Sequence, residues 1–204
     1  TLCFFLGFSS LVISYFMDLA LFLILILYIF NNFLYSIKLK HIPIVDVLSI
    51  SFGFVLRLLS GIYVLGDLPT AWIVLCTFFL SLFLGFSKRR SEYISSIEQS
   101  SKNIDQRPVL RRYSKSFLDS LINDTASISI LSYALFSTTS GKNPTLIITI
   151  PIVYYAILHY KQMVIIHNRG EEPEMILLED YRIWTSILLW LITYISIYYF
   201  DIKL

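Results

Sequence analysis

One short run, Lys88-Arg89-Arg90-Ser91-Glu92, sets cations and a carboxylate at helical spacing. Lys88 and Glu92 stand at i, i+4 and Arg89 and Glu92 at i, i+3, so all three can meet on one face. Such a group suits a phosphate-bearing ligand: cations take the phosphate oxygens, and a carboxylate holds a divalent ion that bridges them. A solvated ion-pair network at a helix exit is the alternative reading. A second set lies upstream in Asp46-Val47-Leu48-Ser49-Ile50-Ser51-Phe52-Gly53-Phe54-Val55-Leu56-Arg57. At about 100° per residue, Asp46, Gly53 and Arg57 fall within about 40° of one another, a polar stripe expected to face a bundle interior. Asn31, Tyr35 and Lys38 repeat at i, i+4, i+7 and could point into the same cavity. A snorkelling Lys with an interfacial Tyr, or Asp46 as a simple helix cap, would explain these residues without chemistry.

The elements that must hold these residues follow from composition. Of 204 residues, 56% are hydrophobic and 15% charged, against about 45–50% apolar in soluble domains, which excludes a water-soluble fold. Apolar runs near the length of a membrane span occur at residues 1–16, 19–36, 44–64, 70–87, 117–137, 144–160 and 183–200. They predict an all-α, polytopic transmembrane bundle forming a single domain over 1–204. Arg57 is then an ionisable group at membrane depth, where each one costs about 2.5–3.5 kcal/mol on insertion scales.

The net charge of +2 says little until the charges are sorted by side. Lys38, Lys40, Lys88, Arg89, Arg90, Lys102, Arg107, Arg111, Arg112, Lys115, Lys161, Arg169 and Arg182 fall on one side of the spans, against Lys142 and Lys203 on the other. The positive-inside rule makes the first side cytoplasmic. Ser116 and Asp119 have the spacing of a capping box for the fifth span. Cys3 and Cys76 lie apart in apolar runs and suggest neither disulfide nor zinc site. His41, His159 and His167 are scattered and read as interfacial.

Several strings together are more specific. Leu34-Tyr35-Ser36-Ile37-Lys38-Leu39-Lys40-His41-Ile42-Pro43-Ile44-Val45-Asp46, then Gly53-Phe54-Val55-Leu56-Arg57, then Gly85-Phe86-Ser87-Lys88-Arg89-Arg90-Ser91-Glu92, then Arg107-Pro108-Val109-Leu110-Arg111-Arg112-Tyr113-Ser114 appear in that order. Arg169-Gly170-Glu171 and Glu179-Asp180 follow. The chain closely resembles the bacterial decaprenyl-phosphate phosphoribosyltransferases, a branch of the UbiA-type prenyltransferase superfamily. That resemblance implies transfer of 5-phosphoribose from phosphoribosyl pyrophosphate to a polyprenyl (decaprenyl) phosphate, with release of pyrophosphate and with Mg2+, at the cytoplasmic face of a bacterial inner membrane. The product would enter cell-envelope polysaccharide synthesis.

By the same resemblance, Tyr35, Lys38, Lys40, Lys88 and Arg89 would hold substrate phosphates and Glu92 would assist the magnesium. Asp46 would orient a cation or ribose hydroxyl, and Arg57 would stabilise phosphate or organise the cavity. The tail would leave laterally between helices rich in Phe and Leu. Members of the superfamily have about nine helices of about 20 residues each, with an Asp-rich magnesium motif after the second. This chain begins with Thr, offers seven runs and lacks that motif. It is expected to be a fragment without the first two helices and first Asp-rich loop, inactive alone. Rival readings are a UbiA-type prenyltransferase acting on an aromatic acceptor, a non-enzymatic transporter of a lipid-linked anion, and a membrane scaffold.

Overall fold

A chain crossing hydrocarbon must satisfy its backbone internally, which the helix does within one segment. The computed structural model describes residues 2–98, 108–139, 144–168, 170 and 173–199, with helices and no strand among them. In order these are α1 (Leu2–Met17), α2 (Leu19–Ile37), α3 (Val45–Val64), α4 (Ala71–Glu98), α5 (Lys115–Thr139), α6 (Ile150–Ile165), α7 (Pro173–Glu179) and α8 (Tyr181–Tyr199). Short 3-10 turns lie at Leu39–His41, Pro108–Arg112 and Pro144–Thr149. All the long helices fall on the apolar runs of the sequence, and the short α7 sits in the acidic last loop. α1 to α6 pack against their sequence neighbours, and α8 closes onto α6.

α2, α3, α4 and the segment Thr145–Ile165 are long and apolar enough to cross a membrane. The other three expected spans fall short for separate reasons. α1 has only 16 residues, α5 carries Asp119, Asn123 and Asp124 in its first half, and α8 dilutes its Leu and Ile with Tyr, Thr and Ser.

The α4 helix runs well past the expected end at residue 87. With 28 residues it is about 42 Å long at about 1.5 Å per residue, more than a hydrocarbon core of about 30 Å. It is therefore longer than one crossing needs, and Lys88 to Glu92 lie in its C-terminal part. The polar first half of α5 packs alongside that part. Ser114 caps α5 by accepting the Phe117 N–H at 3.2 Å. The expected capping box of Ser116 and Asp119 does not form, because the helix starts two residues earlier, at Lys115, and Asp119 is drawn into an ion pair with Arg90.

The core lies where α3, α4, α5 and α6 meet and includes Val47, Phe83, Phe86, Leu118, Ile122 and Val164. α3 and α4 approach closely at Gly85, where an added Cβ would collide with Cγ1 of Val47. Val47 is β-branched and wholly buried, so it has no free rotamer to yield. Gly85→Ala should therefore cost about 1–3 kcal/mol by overpacking, read as a lower thermal midpoint in detergent. Asn31 pins α2 to α3, donating to Ser49 O at 3.0 Å and accepting from Ser49 Oγ at 2.9 Å. Toward the other end, Tyr133 Oη on α5 bonds Thr149 Oγ1 at 2.6 Å and accepts from Trp190 Nε1 of α8 at 2.7 Å.

Candidate functional site

The N-terminal end of α3 and the C-terminal part of α4 are joined by one guanidinium. Arg89 Nε donates to Asp46 Oδ2 at 2.7 Å, and Nη1 donates to Glu92 Oε2 at 2.6 Å. Asp46 is fully buried and Arg89 is 4% exposed. The carboxylate of Asp46, set in the first turn of α3 where the helix dipole favours an anion, faces sideways into α4 instead of capping its own helix. One cation between two carboxylates leaves this trio with a formal charge of −1.

Tyr113, just after the 3-10 turn at Pro108–Arg112, extends the cluster. Its hydroxyl donates to Asp46 Oδ1 at 3.2 Å and accepts the Ile44 N–H. Burial pushes the phenol up to about 12, and the Asp46 carboxylate adds to the shift while the Ile44 N–H and Arg89 oppose it. The phenol thus stays protonated and able to donate at any physiological pH. Ile44 itself has φ 68°, a left-handed conformation that β-branched residues avoid. Backbone strain of order 1–3 kcal/mol is held where the surroundings over-determine it, here by the Tyr113 bond and the start of α3. Tyr113→Phe keeps the ring and leaves Ile44 N–H unpaired, so a loss of about 1–3 kcal/mol is expected, measurable by thermal unfolding beside Tyr113→Leu.

Lys88 differs from its neighbours. It is half-buried and makes no ion pair with a described residue, so the expected three-way meeting of Lys88, Arg89 and Glu92 reduces to Arg89 with Glu92. Lys38 and Lys40 are exposed, at the C-cap of α2 and in the turn Leu39–His41. Lys38 therefore lies outside the helical face shared by Asn31 and Tyr35. No group of three or more His, Cys, Asp or Glu side chains that could hold a metal occurs among the described residues. With Asp46 and Glu92 both bonded to Arg89, the described residues do not by themselves make a magnesium site.

Arg57 departs from the expected interior stripe. Asp46 and Gly53 are buried, whereas Arg57 is exposed. The buried residues of α3 all lie at or before Leu56, and beyond that point Arg57 reaches back over its own helix toward α2. Its guanidinium lies 4.3 Å from the Phe54 ring centroid and 5.5 Å from that of Tyr28, and Nη1 donates to Tyr28 Oη at 3.1 Å. Arg57 and Tyr35 line a pocket of about 220 Å³ with Tyr28, Asn31, Ser49 and Gly53. Eleven residues of helix, about 16 Å, separate Arg57 from Asp46 along α3, so the expected site residues divide between two places.

Sequence reading missed three other groups. Arg90, 1% exposed, bonds Asp119 and the end of α6. The doublet Arg89-Arg90 held the signal, since adjacent helical residues point about 100° apart and so serve different neighbours. Tyr113 stood inside the basic tract. His159 has partners that its scatter in the sequence did not show: it is buried, its Nε2 is 3.0 Å from Asp180 Oδ2, and Tyr155 stacks on its ring. Asp180 also caps α8 by accepting the N–H groups of Arg182 and Ile183. Burial pushes the Asp180 carboxyl up, but the His159 bond and these N–H groups outweigh it and hold the carboxyl below its usual range.

An apolar cavity of about 300 Å³ opens between α4, α6 and α8, walled by Phe83, Leu84, Ile152, Ala156, Ile187 and Trp190. Phe83 and Leu84 lie one helical turn before Lys88.

These features define an all-helical, multi-pass membrane protein with a buried ionic cluster at one end and an apolar cavity next to it. Over 205 aligned residues the chain is 28% identical to the decaprenyl-phosphate phosphoribosyltransferase of Mycolicibacterium smegmatis, covering 95% of this chain and 63% of that protein. Over 106 residues it is 30% identical to the protein of the same name from Corynebacterium glutamicum, covering 52% of this chain and 31% of that one. The resemblance read from the sequence is borne out, and the chain spans 63% of the length of the first relative. No family model matches the chain.

Proposed function

We propose that the protein is a UbiA-type membrane glycosyltransferase that moves 5-phosphoribose from phosphoribosyl pyrophosphate to the phosphate of a polyprenyl phosphate. In this reading it works in a bacterial cytoplasmic membrane, with its site toward the cytoplasm, and supplies precursors of cell-envelope polysaccharide. The observation that carries the reading is Lys88: a half-buried cation with no ion-pair partner among the described residues, one turn from the wall of an apolar cavity. Transfer to a lipid phosphate needs both, a cation for the pyrophosphate of the donor and, beside it, an apolar channel for the tail of the acceptor. The names of the two relatives support the same substrate.

In the reaction, the bond from ribose C1 to the pyrophosphate oxygen breaks, and its electron pair leaves with pyrophosphate. A phosphate oxygen of the polyprenyl phosphate forms the new bond to C1. Negative charge grows on the leaving group while the ribose gains oxocarbenium character, so fixed cations at the leaving group stabilise the transition state. Lys88, Lys38 and Lys40 take this role. Arg89 has committed two of its five N–H groups to Asp46 and Glu92, leaving three to offer a phosphate. Asp46 holds Arg89 in place and leaves it poorly able to swing away. The acceptor phosphate is already an anion near neutral pH and needs no general base. Arg57 and Tyr35 would serve the α2–α3 pocket, where an anionic group would relieve the cost of an unpaired cation at membrane depth. Glu92, the acid of the Lys88 turn, would help to hold a magnesium ion brought in with the donor pyrophosphate, and that ion would supply further neutralisation of charge on the leaving group.

The test uses the full-length protein in membranes with ribose-labelled phosphoribosyl pyrophosphate. Label should appear in the lipid fraction and be lost in Lys88→Ala and Glu92→Ala variants that insert normally. Lipid label arising only from a prenyl pyrophosphate would assign the protein to the prenyltransferases of aromatic acceptors, and unchanged transfer in both variants would remove the site.

A further inference from the structure

Arg90 is the most completely engaged charged side chain among the described residues. It is 1% exposed and reaches two other helices. Nε pairs with Asp119 on α5. Nη1 donates to Val164 O at 2.7 Å and to Asn168 Oδ1 at 3.1 Å, and Nη2 donates to Ile165 O at 3.2 Å. Val164 and Ile165 are the last residues of α6, whose final carbonyls lack helical partners and carry the negative end of the helix dipole. A fork of N–H groups is the donor such an end requires, and Lys could not reproduce it.

Beyond α6 the chain turns through Asn168, at φ 51°, and returns to α4 at Gly170. There an added Cβ would come within 2.6 Å of Ser91 Oγ and 3.3 Å of Ser87 O, and Gly170 has φ 156°, so this contact admits only glycine. Ser87 and Ser91 flank Lys88 and Glu92 in sequence on the same two turns of α4. Ser91 Oγ is buried without a hydrogen-bond partner among the described residues. The segment that Arg90 anchors therefore lies directly against the turns that carry the cation and the carboxylate of the site.

We infer that Arg90 is a positioning residue for the donor side of the site. While Arg89 fixes α4 to α3, Arg90 fixes the end of α6 and the backbone at Gly170 against α4, and so sets the wall beside Lys88 and Glu92. It contacts neither substrate. The inference rests on the proposed phosphoribosyl transfer for its kinetic consequence and on geometry alone for its structural one.

Two measurements on the full-length protein in membranes separate these. Kinetically, Arg90→Met should raise KM for phosphoribosyl pyrophosphate by about tenfold or more and leave KM for polyprenyl phosphate within about twofold, with Arg90→Lys in between. Equal changes in both KM values, or a loss of activity that merely follows the amount of folded protein, would overturn the role. Structurally, the thiol of Ser91→Cys, buried against Gly170, should react slowly with a maleimide when Arg90 is present and much faster, in protein that stays folded, when Arg90→Met is added. Equal labelling in both backgrounds would overturn the anchoring, whatever the reaction proves to be. A protein with Arg90 intact that transfers no ribose while the labelling still depends on Arg90 would sink the proposed function and leave the anchoring standing.

Discussion

Arg89→Met should be the most damaging single change to stability, lowering it by about 3–5 kcal/mol, the usual loss when one partner of a buried ion pair is removed. Asp46 is fully buried and Arg89 is its only ion-pair partner among the described residues. Once the guanidinium is gone, the carboxylate keeps, among the described residues, only the Tyr113 hydroxyl. Glu92, 12% exposed at its side chain, would suffer less because it can turn toward water. The double variant Asp46→Leu/Arg89→Met removes both buried charges and should regain much of the lost stability, since apolar replacement of a buried pair is often neutral or better. It should not regain transfer activity. Thermal unfolding of the set in detergent checks the first part, and recovery of activity by the double variant would show that the pair only holds the fold.

Lys88→Ala should have the opposite profile. The side chain makes no ion pair with a described residue, so its removal should change stability by no more than about 0.5 kcal/mol. If it stabilises charge on the leaving pyrophosphate, its loss should lower kcat by about 10²–10³-fold, as for other preorganised electrostatic donors. Lys88→Arg should recover part of the rate, because charge is kept while its position shifts. A variant that is stable and fully active would place the leaving group elsewhere.

The helices were legible in the sequence because apolar runs bounded by Asp18, Pro43, Gly66 and Pro69 leave little choice of segment. The extent of α4 was not. Hydropathy marks where a helix leaves the membrane, not where it ends, and Lys, Arg and Glu propagate a helix well. The meeting of Asp46 with Arg89 was hidden as well, since it depends on the close approach that Gly85 allows between α3 and α4. Periodicity put Asp46, Gly53 and Arg57 on one side of α3, which holds for the backbone. It could not tell that the packing of α3 ends near Leu56 and that the long Arg57 side chain lies over Phe54 and Tyr28. His159 lies on α6 and Asp180 at the cap of α8, 21 residues apart in sequence, a pairing that no local pattern carries.

The central claim is that ribose and pyrophosphate part at this site, one to the lipid and the other to water. It is tested most directly with phosphoribosyl pyrophosphate labelled both in the ribose and in the β-phosphate, incubated with the full-length protein and a polyprenyl phosphate in membranes. The account predicts ribose label in the organic phase and an equal amount of pyrophosphate label in the aqueous phase, both abolished in Lys88→Ala. Pyrophosphate label entering the lipid, or no ribose label there from a correctly inserted protein, would contradict it.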